Sequence, residues 1–243
     1  MIGRDEIVRI YTTRLLTNSS VVPEDDPQLT YLKRFLSCDK EQHILDAACG
    51  NGRYAFNLAG KGYRNITGVD LFPAIDTKGR FRYQSNSIDS IDLPDASVDF
   101  LYCLGAIFYL ENPLHGLREF HRVMKPGAIL ILAAYTKYSP WVMDRTIRRS
   151  LGRYEFLNGV KFAYSVAEYS NMLVRAGFEA IDVDGFDLLY PSRLRPIWRS
   201  LLRKTVGRVR HDTSHHRKSD VLGKWLRSRF GYHLLITARR PGS

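Results

Sequence analysis

The segment that most limits what this chain can become is Ile44-Leu-Asp-Ala-Ala-Cys-Gly-Asn-Gly-Arg-Tyr-Ala-Phe56. A buried-looking strand runs directly into Gly50-x-Gly52-x-x-Ala55, and a helix-like stretch follows. Glycines suit such a turn because it is tight and lets a ligand approach the backbone, while the helix start offers unpaired N–H groups. A second acid, Asp70, ends the next apolar run twenty residues beyond Gly50. At that spacing a carboxylate can accept hydrogen bonds from both hydroxyls of a ribose. The glycines alone also fit an ordinary strand-to-helix turn; Asp46 and Asp70 together point to a ribose-containing ligand.

Around this loop, short apolar runs alternate with helix-like stretches, the pattern of parallel βαβ units. The pattern predicts strands at 43–48, 65–70, 80–84, 98–104, 128–135, 178–183 and 232–238, and helices over about 53–59, 114–124 and 165–176. Asn112-Pro113 reads as a helix start, Lys125-Pro126-Gly127 as a stop, and Ser165 with Glu168 as a capping box closed by Gly177. Only about ten residues separate Asp70 from Arg80, Pro73 among them, so the crossover helix there is expected to shrink to one turn.

The same residues resemble the class I S-adenosylmethionine-dependent methyltransferases, above all the small-molecule and lipid methyltransferases with a D-x-x-x-G-x-G fingerprint. Asp46 to Gly52 matches it in full, and Leu93–Cys103, Arg118–Leu132, Arg175–Val183 and the final GYHLLITARR resemble the group in the right order. The resemblance implies a Rossmann-like α/β fold with a seven-stranded sheet, mostly parallel with an antiparallel last strand, and S-adenosyl-L-methionine as cofactor. It implies that Asp46, Gly50 and Gly52 surround the methionine part, that Asp70 holds the ribose, and that Leu71 flanks the adenine, with Ala48 and Leu104 also among the cofactor-binding residues. The family's acid after the third strand is replaced by Ser87-Ile88, which shifts the adenine contact toward Asn86 or Asp89 and leaves Ile88 to pack on the ring. A dinucleotide oxidoreductase uses a similar loop; the Lys-Pro-Gly strand entry and the terminal strand favour the methyltransferase.

A sulfonium methyl is already activated, so the protein must chiefly place an acceptor in line with it and exclude water. No G-x-S-x-G elbow or other nucleophile motif is present, and none is needed. The acceptor site is expected beyond the fourth strand. His115 and Tyr109 are its candidate catalytic residues, and Phe108, Tyr11, Trp198 and Arg199 its candidate substrate or lid residues. His121 reads as structural and Cys103 as packed within its strand. An Asn/Asp-Pro-Pro-aromatic signature is absent at the fourth strand, which disfavours amino methylation of DNA.

Charge is distributed unevenly. Of a formal net +11, residues 191–243 hold 14 Lys and Arg against 2 acids, and the first 190 are nearly neutral. Within 191–230 two basic amphipathic patterns occur, one through Leu194, Ile197, Trp198, Leu201, Leu202 and Val206, the other with Leu222, Trp225, Leu226 and Phe230 on one side. They read as a substrate lid, or as a contact with an anionic membrane surface through 192–230; RNA ranks behind both. His211, His215 and His216 lack accompanying carboxylates or cysteines, so no metal is expected.

No apolar run reaches the roughly 18 residues of a membrane span. The N-terminus has acids where a secretory signal is apolar, and Cys38, Cys49 and Cys103 form no C-x-x-C pair. The expectation is a cytoplasmic protein, peripheral at the membrane if the basic segment docks there. It is expected as one domain: an N-terminal helical cap over 1–40, a core of 41–190 and 231–240, and a basic helical insertion over 191–230. The expected reaction is methyl transfer to a small-molecule, lipid or lipid-linked acceptor, at oxygen. An RNA methyltransferase and a non-catalytic cofactor-binding protein stay open beside it.

Overall fold

The computed structural model describes residues 21–72, 75–151, 163–186, 221–231 and 233–242. Tyr11, Trp198, Arg199 and the three histidines at 211, 215 and 216 lie outside the described residues, as does most of the 191–230 insertion.

In chain order the described elements are α1 (Pro27–Lys33), β1 (Ile44–Ala47), α2 (Arg53–Gly60), β2 (Ile66–Asp70), β3 (Arg82–Ser85) and β4 (Val98–Leu104). After a 3-10 turn (Ile107–Tyr109) come α3 (Pro113–Val123), β5 (Met124–Ala134), α4 (Pro140–Ser150), α5 (Val166–Arg175), β6 (Glu179–Phe186), α6 (Val221–Phe230) and β7 (His233–Arg239). One seven-stranded sheet results, in the order β3-β2-β1-β4-β5-β7-β6. β1 through β5 run parallel, and β7 pairs antiparallel with both β5 and β6. The strand order reverses direction between β1 and β4, the kind of switch point beside which open α/β sheets bind their ligands.

The central strands β1, β2, β4 and β5 are largely buried on both faces because helices cover both. Successive residues of β4 divide between two cores: Cys103 joins Leu117, Phe120 and Val123 of α3 and Tyr169 and Leu173 of α5. Phe100 and Tyr102 join Leu29 and Leu32 of α1 and Tyr54 and Leu58 of α2 on the other face. That period of two is the pleat itself.

Local signals act as the sequence reading expects at three helix ends. Asn112 caps α3 with Pro113 in its first turn, and Ser165 and Glu168 form a reciprocal capping box on α5. Gly177, at φ 99°, takes the left-handed turn that follows α5.

Two expectations are corrected. β5 starts at Met124, directly after α3, rather than after Lys125-Pro126-Gly127. The strand is extended there because Gly127 N–H donates to the Arg240 carbonyl and Arg240 N–H to that of Ala128. The described residues between β2 and β3 carry bends and a turn at Lys78–Gly79 instead of one helical turn. On α6, Trp225 and Phe230 share a side as expected, their rings 6.3 Å apart and edge to face, and Trp225 is 47% exposed with the Arg229 guanidinium 4.9 Å above its ring. Lys224 pairs with Asp182 on β6 at 2.6 Å.

Candidate active site

Asp46 sits one residue before the end of β1, paired in register with Gly68 on β2 and Tyr102 on β4. Both neighbouring strands and α2 shield it, so it is 2% exposed and its Oδ2 has no hydrogen-bond partner. The Tyr102 hydroxyl lies close by and is also buried. Burial pushes the Asp46 carboxyl up to about 7 and carries the Tyr102 phenol well above its ordinary value. A buried acceptor without a donor is costly in a folded protein, and a cationic donor would relieve that cost.

The loop after β1 turns through three left-handed residues, Ala48 (φ 64°), Gly50 (φ 56°) and Gly52 (φ 74°). At Gly52 the glycine is obligatory on two counts. Its φ strains any other residue, and an added Cβ would lie 2.6 Å from Phe81 Cζ. Gly52 is the N-cap of α2 and supplies no side-chain cap, so the opening of that helix is free of a built-in acceptor.

Asp70 closes β2 on the far side of the loop. Its Oδ2 accepts from the Gly50 amide at 2.7 Å, and its own carbonyl accepts from Asn86 at 2.8 Å. Burial raises its carboxyl while the amides of Gly50, Leu71 and Phe72 pull the other way. Beyond β3, the Ser87 N–H donates to Asn86 Oδ1 at 2.8 Å, and the Ser87 hydroxyl bonds Asp89 Oδ1. The acid missing at position 87 is therefore held against it from two residues further on. Ile88 is buried in the core, and Leu71 and Leu104 are half-buried.

Past the carboxyl ends of β4 and β5 the expected acceptor residues separate. Phe108 is 1% exposed, packed 4.6 Å from Tyr109 and 4.7 Å from Tyr135. Tyr109 is half-buried and His115 exposed on the first turn of α3. The sequence reading missed Tyr135, the residue after β5. Its ring stacks on Trp141 of α4 (5.1 Å, 23°) and on His233 of β7 (4.9 Å, 29°). Strand order brings His233 to Tyr135, and no local motif marks that contact.

The N-terminal segment reaches this site through α1. Tyr54, the second residue of α2, donates its hydroxyl to Gln28 Oε1 at 2.7 Å and lies 3.2 Å from Asp26 Oδ1, while Arg53 Nη2 donates to it at 3.1 Å. Among the described residues no group of three or more His, Cys, Asp and Glu side chains could hold a metal ion, and no helix is long and apolar enough to cross a membrane.

S-adenosyl-L-methionine carries an ammonium, a sulfonium and two ribose hydroxyls, and the residues present fit it: a buried carboxylate whose Oδ2 has no hydrogen-bond partner, a second strand-end carboxylate, and a loop where a Cβ has no room. Residues 45–132 match the methyltransferase domain family. The chain is 26% identical over 154 residues to the tRNA U34 carboxymethyltransferase of Saccharophagus degradans, covering 58% of this chain and 46% of that one. It is 27% identical over 159 residues to the O-methyltransferase cnsE of Penicillium expansum, covering 61% and 56%. The chain thus spans about half the length of these curated relatives. Among solved structures it resembles a SAM-dependent methyltransferase of Thermotoga maritima, described as a possible histamine N-methyltransferase. That match has a TM-score of 0.59 at 16% identity, over 97% of this chain and 93% of the other. Sheet order and glycine loop agree with the Rossmann-like fold of that structure, and together with the domain match over residues 45–132 they support a class I S-adenosylmethionine-dependent methyltransferase with S-adenosyl-L-methionine as its cofactor.

Proposed function

We propose that this protein transfers the methyl group of S-adenosyl-L-methionine to a small-molecule, lipid or lipid-linked acceptor, at oxygen. The observation that carries the methyl-transfer reading is the pair of strand-end carboxylates on either side of a left-handed glycine loop, one of them with a buried oxygen that has no donor. In this reading Asp46, Ala48, Gly50 and Gly52 hold the methionine part, Asp70 the ribose, and Leu71, Ile88 and the Ser87–Asp89 pair the adenine. The bound cofactor supplies an electrophilic methyl; the protein's own work is to bind, orient and keep water out. Positioning of that kind is worth roughly 7 to 11 kcal/mol of barrier.

Tyr109 and His115 stand after β4, on the side where the acceptor enters. His115, exposed at the start of α3, is the candidate to take the acceptor's proton, and half-buried Tyr109, backed by Phe108, the candidate to orient it. Support for oxygen comes from the absence of the amino-methylation signature after β4 and from the name of the Penicillium relative.

A second reading, methylation of RNA, is favoured by the tRNA-modifying relatives and by the basic stretch 191–243. One experiment separates the two: incubation with methyl-tritiated cofactor and either a total lipid extract, a polar metabolite extract or bulk tRNA. Label in the lipid or metabolite fraction, lost in His115→Ala, supports the first reading. Label in tRNA alone overturns it.

A further inference from the structure

Helix α4 (Pro140–Ser150) leaves the site by its first turn and presents an apolar stripe on the two turns that follow. Ser139 caps it: its Oγ accepts from Val142 N–H at 3.2 Å and its carbonyl from Met143 N–H at 2.9 Å. Trp141 and Val142 are buried, and Trp141 stacks on Tyr135 at the carboxyl end of β5. From there outward the character inverts. Met143, Ile147 and, just past the helix, Leu151 recur every four residues, which puts them on one side, and they are 40%, 53% and 61% exposed. Tyr138, 46% exposed, precedes the same helix. Four of the seven exposed large apolar side chains among the described residues thus fall within fourteen residues of chain.

The neighbours of the stripe make it more apolar than its composition suggests. Thr146 Oγ1 donates back to the Val142 carbonyl at 2.9 Å and Ser150 Oγ to the Thr146 carbonyl at 3.1 Å. With their hydroxyls satisfied on the helix, both residues leave carbon atoms to face outward. The same helix carries Arg145, Arg148 and Arg149 against one acid, Asp144. A short helix that combines an exposed apolar stripe with an excess of arginine is suited to the boundary of a bilayer with anionic headgroups, where side chains of both kinds find their partners at once.

We propose that α4 docks this protein on an anionic lipid surface, with Met143, Ile147 and Leu151 entering the headgroup–acyl boundary and Trp141 tying that contact to the rim of the acceptor site. The surface then holds the open carboxyl ends of β4 and β5 next to lipid, where a lipid-borne acceptor need not leave the bilayer to reach them. That delivery rests on the methyl-transfer reading above; the docking itself does not.

The test is co-sedimentation of the full chain with phosphatidylcholine vesicles and with vesicles also containing phosphatidylglycerol, at physiological salt. Wild type should sediment with the anionic vesicles and not with the neutral ones. The triple variant Met143→Ser, Ile147→Ser, Leu151→Ser should lose about tenfold or more in apparent affinity, because three buried apolar contacts are removed. Its melting temperature and its affinity for S-adenosyl-L-methionine should match wild type, since these side chains are exposed and away from the glycine loop. Those two readouts separate failure of docking from failure of the methyl-transfer reading. Full binding by the triple variant overturns the proposal and moves any lipid contact to another segment. Absence of wild-type binding overturns it too, as does a concentration-dependent dimer that the triple variant abolishes, which would make a second copy the occupant.

Discussion

The carboxylate of Asp70 and the amide of Gly50 are joined by a 2.7 Å hydrogen bond, which fastens the end of β2 to the glycine loop that follows β1. The acid expected to bind a ribose thus also holds the loop expected to bind the rest of the cofactor. Replacing Asp70 by Ala removes both functions. Charge-assisted hydrogen bonds contribute about 1.5 to 3 kcal/mol each, so cofactor affinity should fall by roughly 10- to 150-fold or beyond detection. Isothermal titration with S-adenosyl-L-methionine measures it, and an unchanged affinity removes Asp70 from the site.

Asp46 predicts a pH dependence with a definite sign. Burial raises its carboxyl from 3.8 to about 7, so the folded protein holds a proton that the unfolded chain releases. The associated stability is complete below about pH 4 and is lost as the pH rises through 7. Asp46→Asn takes this term away. The difference in melting temperature between variant and wild type should grow in the variant's favour from pH 5 to pH 8, and parallel profiles would contradict the burial argument. Cofactor affinity of the wild type should strengthen over the same range, because a cationic ligand prefers the ionised carboxylate.

Gly52→Ala should destabilise the protein by about 1 to 3 kcal/mol, through a left-handed φ of 74° and a Cβ placed 2.6 Å from the edge of Phe81. Chemical denaturation reads this directly. A double variant with Phe81→Leu should recover the steric part and not the part due to φ; equal stability of the single and double variants would mean that Phe81 is no obstacle.

Ser165→Ala opens the capping box of α5 and should cost about 1 kcal/mol, measured by denaturation at pH 7. The Lys137 ammonium, with the Ser165 N–H and hydroxyl, holds the Glu168 carboxyl down to about 2. The part of the cap that depends on that charge is present above the ordinary glutamate value of 4.5 and disappears as the pH falls through 2. The penalty for Ser165→Ala should therefore shrink in acid, and a pH-independent penalty would show that Glu168 takes no part.

Much of this was legible in the sequence wherever the information is local. Asp46, Gly50, Gly52 and Asp70 lie within one βαβ unit, and their spacing places them; Asn112 and Ser165 cap the helices their patterns announce. What escaped depends on distant pairing. Met124 starts a strand because residues near Gly127 bond to Arg240, and Tyr135 meets His233 because β7 lies beside β5. The Lys224–Asp182 pair between α6 and β6 is likewise a contact no periodicity contains. At Ser87 the sequence reading already turns to Asn86 or Asp89 for the missing acid, and the turn bonds Ser87 to both.

The order of strands also carries a consequence for synthesis. β7 is made last of the seven yet lies inside the sheet, with β5 on one side and β6 on the other. While a ribosome is still translating the stretch from Asp187 to Tyr232, β6 has no partner and the outer rim of β5 stays unsatisfied. Unpaired strand rims of this kind recruit other chains. The nascent protein therefore passes through an interval in which its methyltransferase half can be complete and its far edge still adhesive, and the arrival of His233–Arg239 ends that interval.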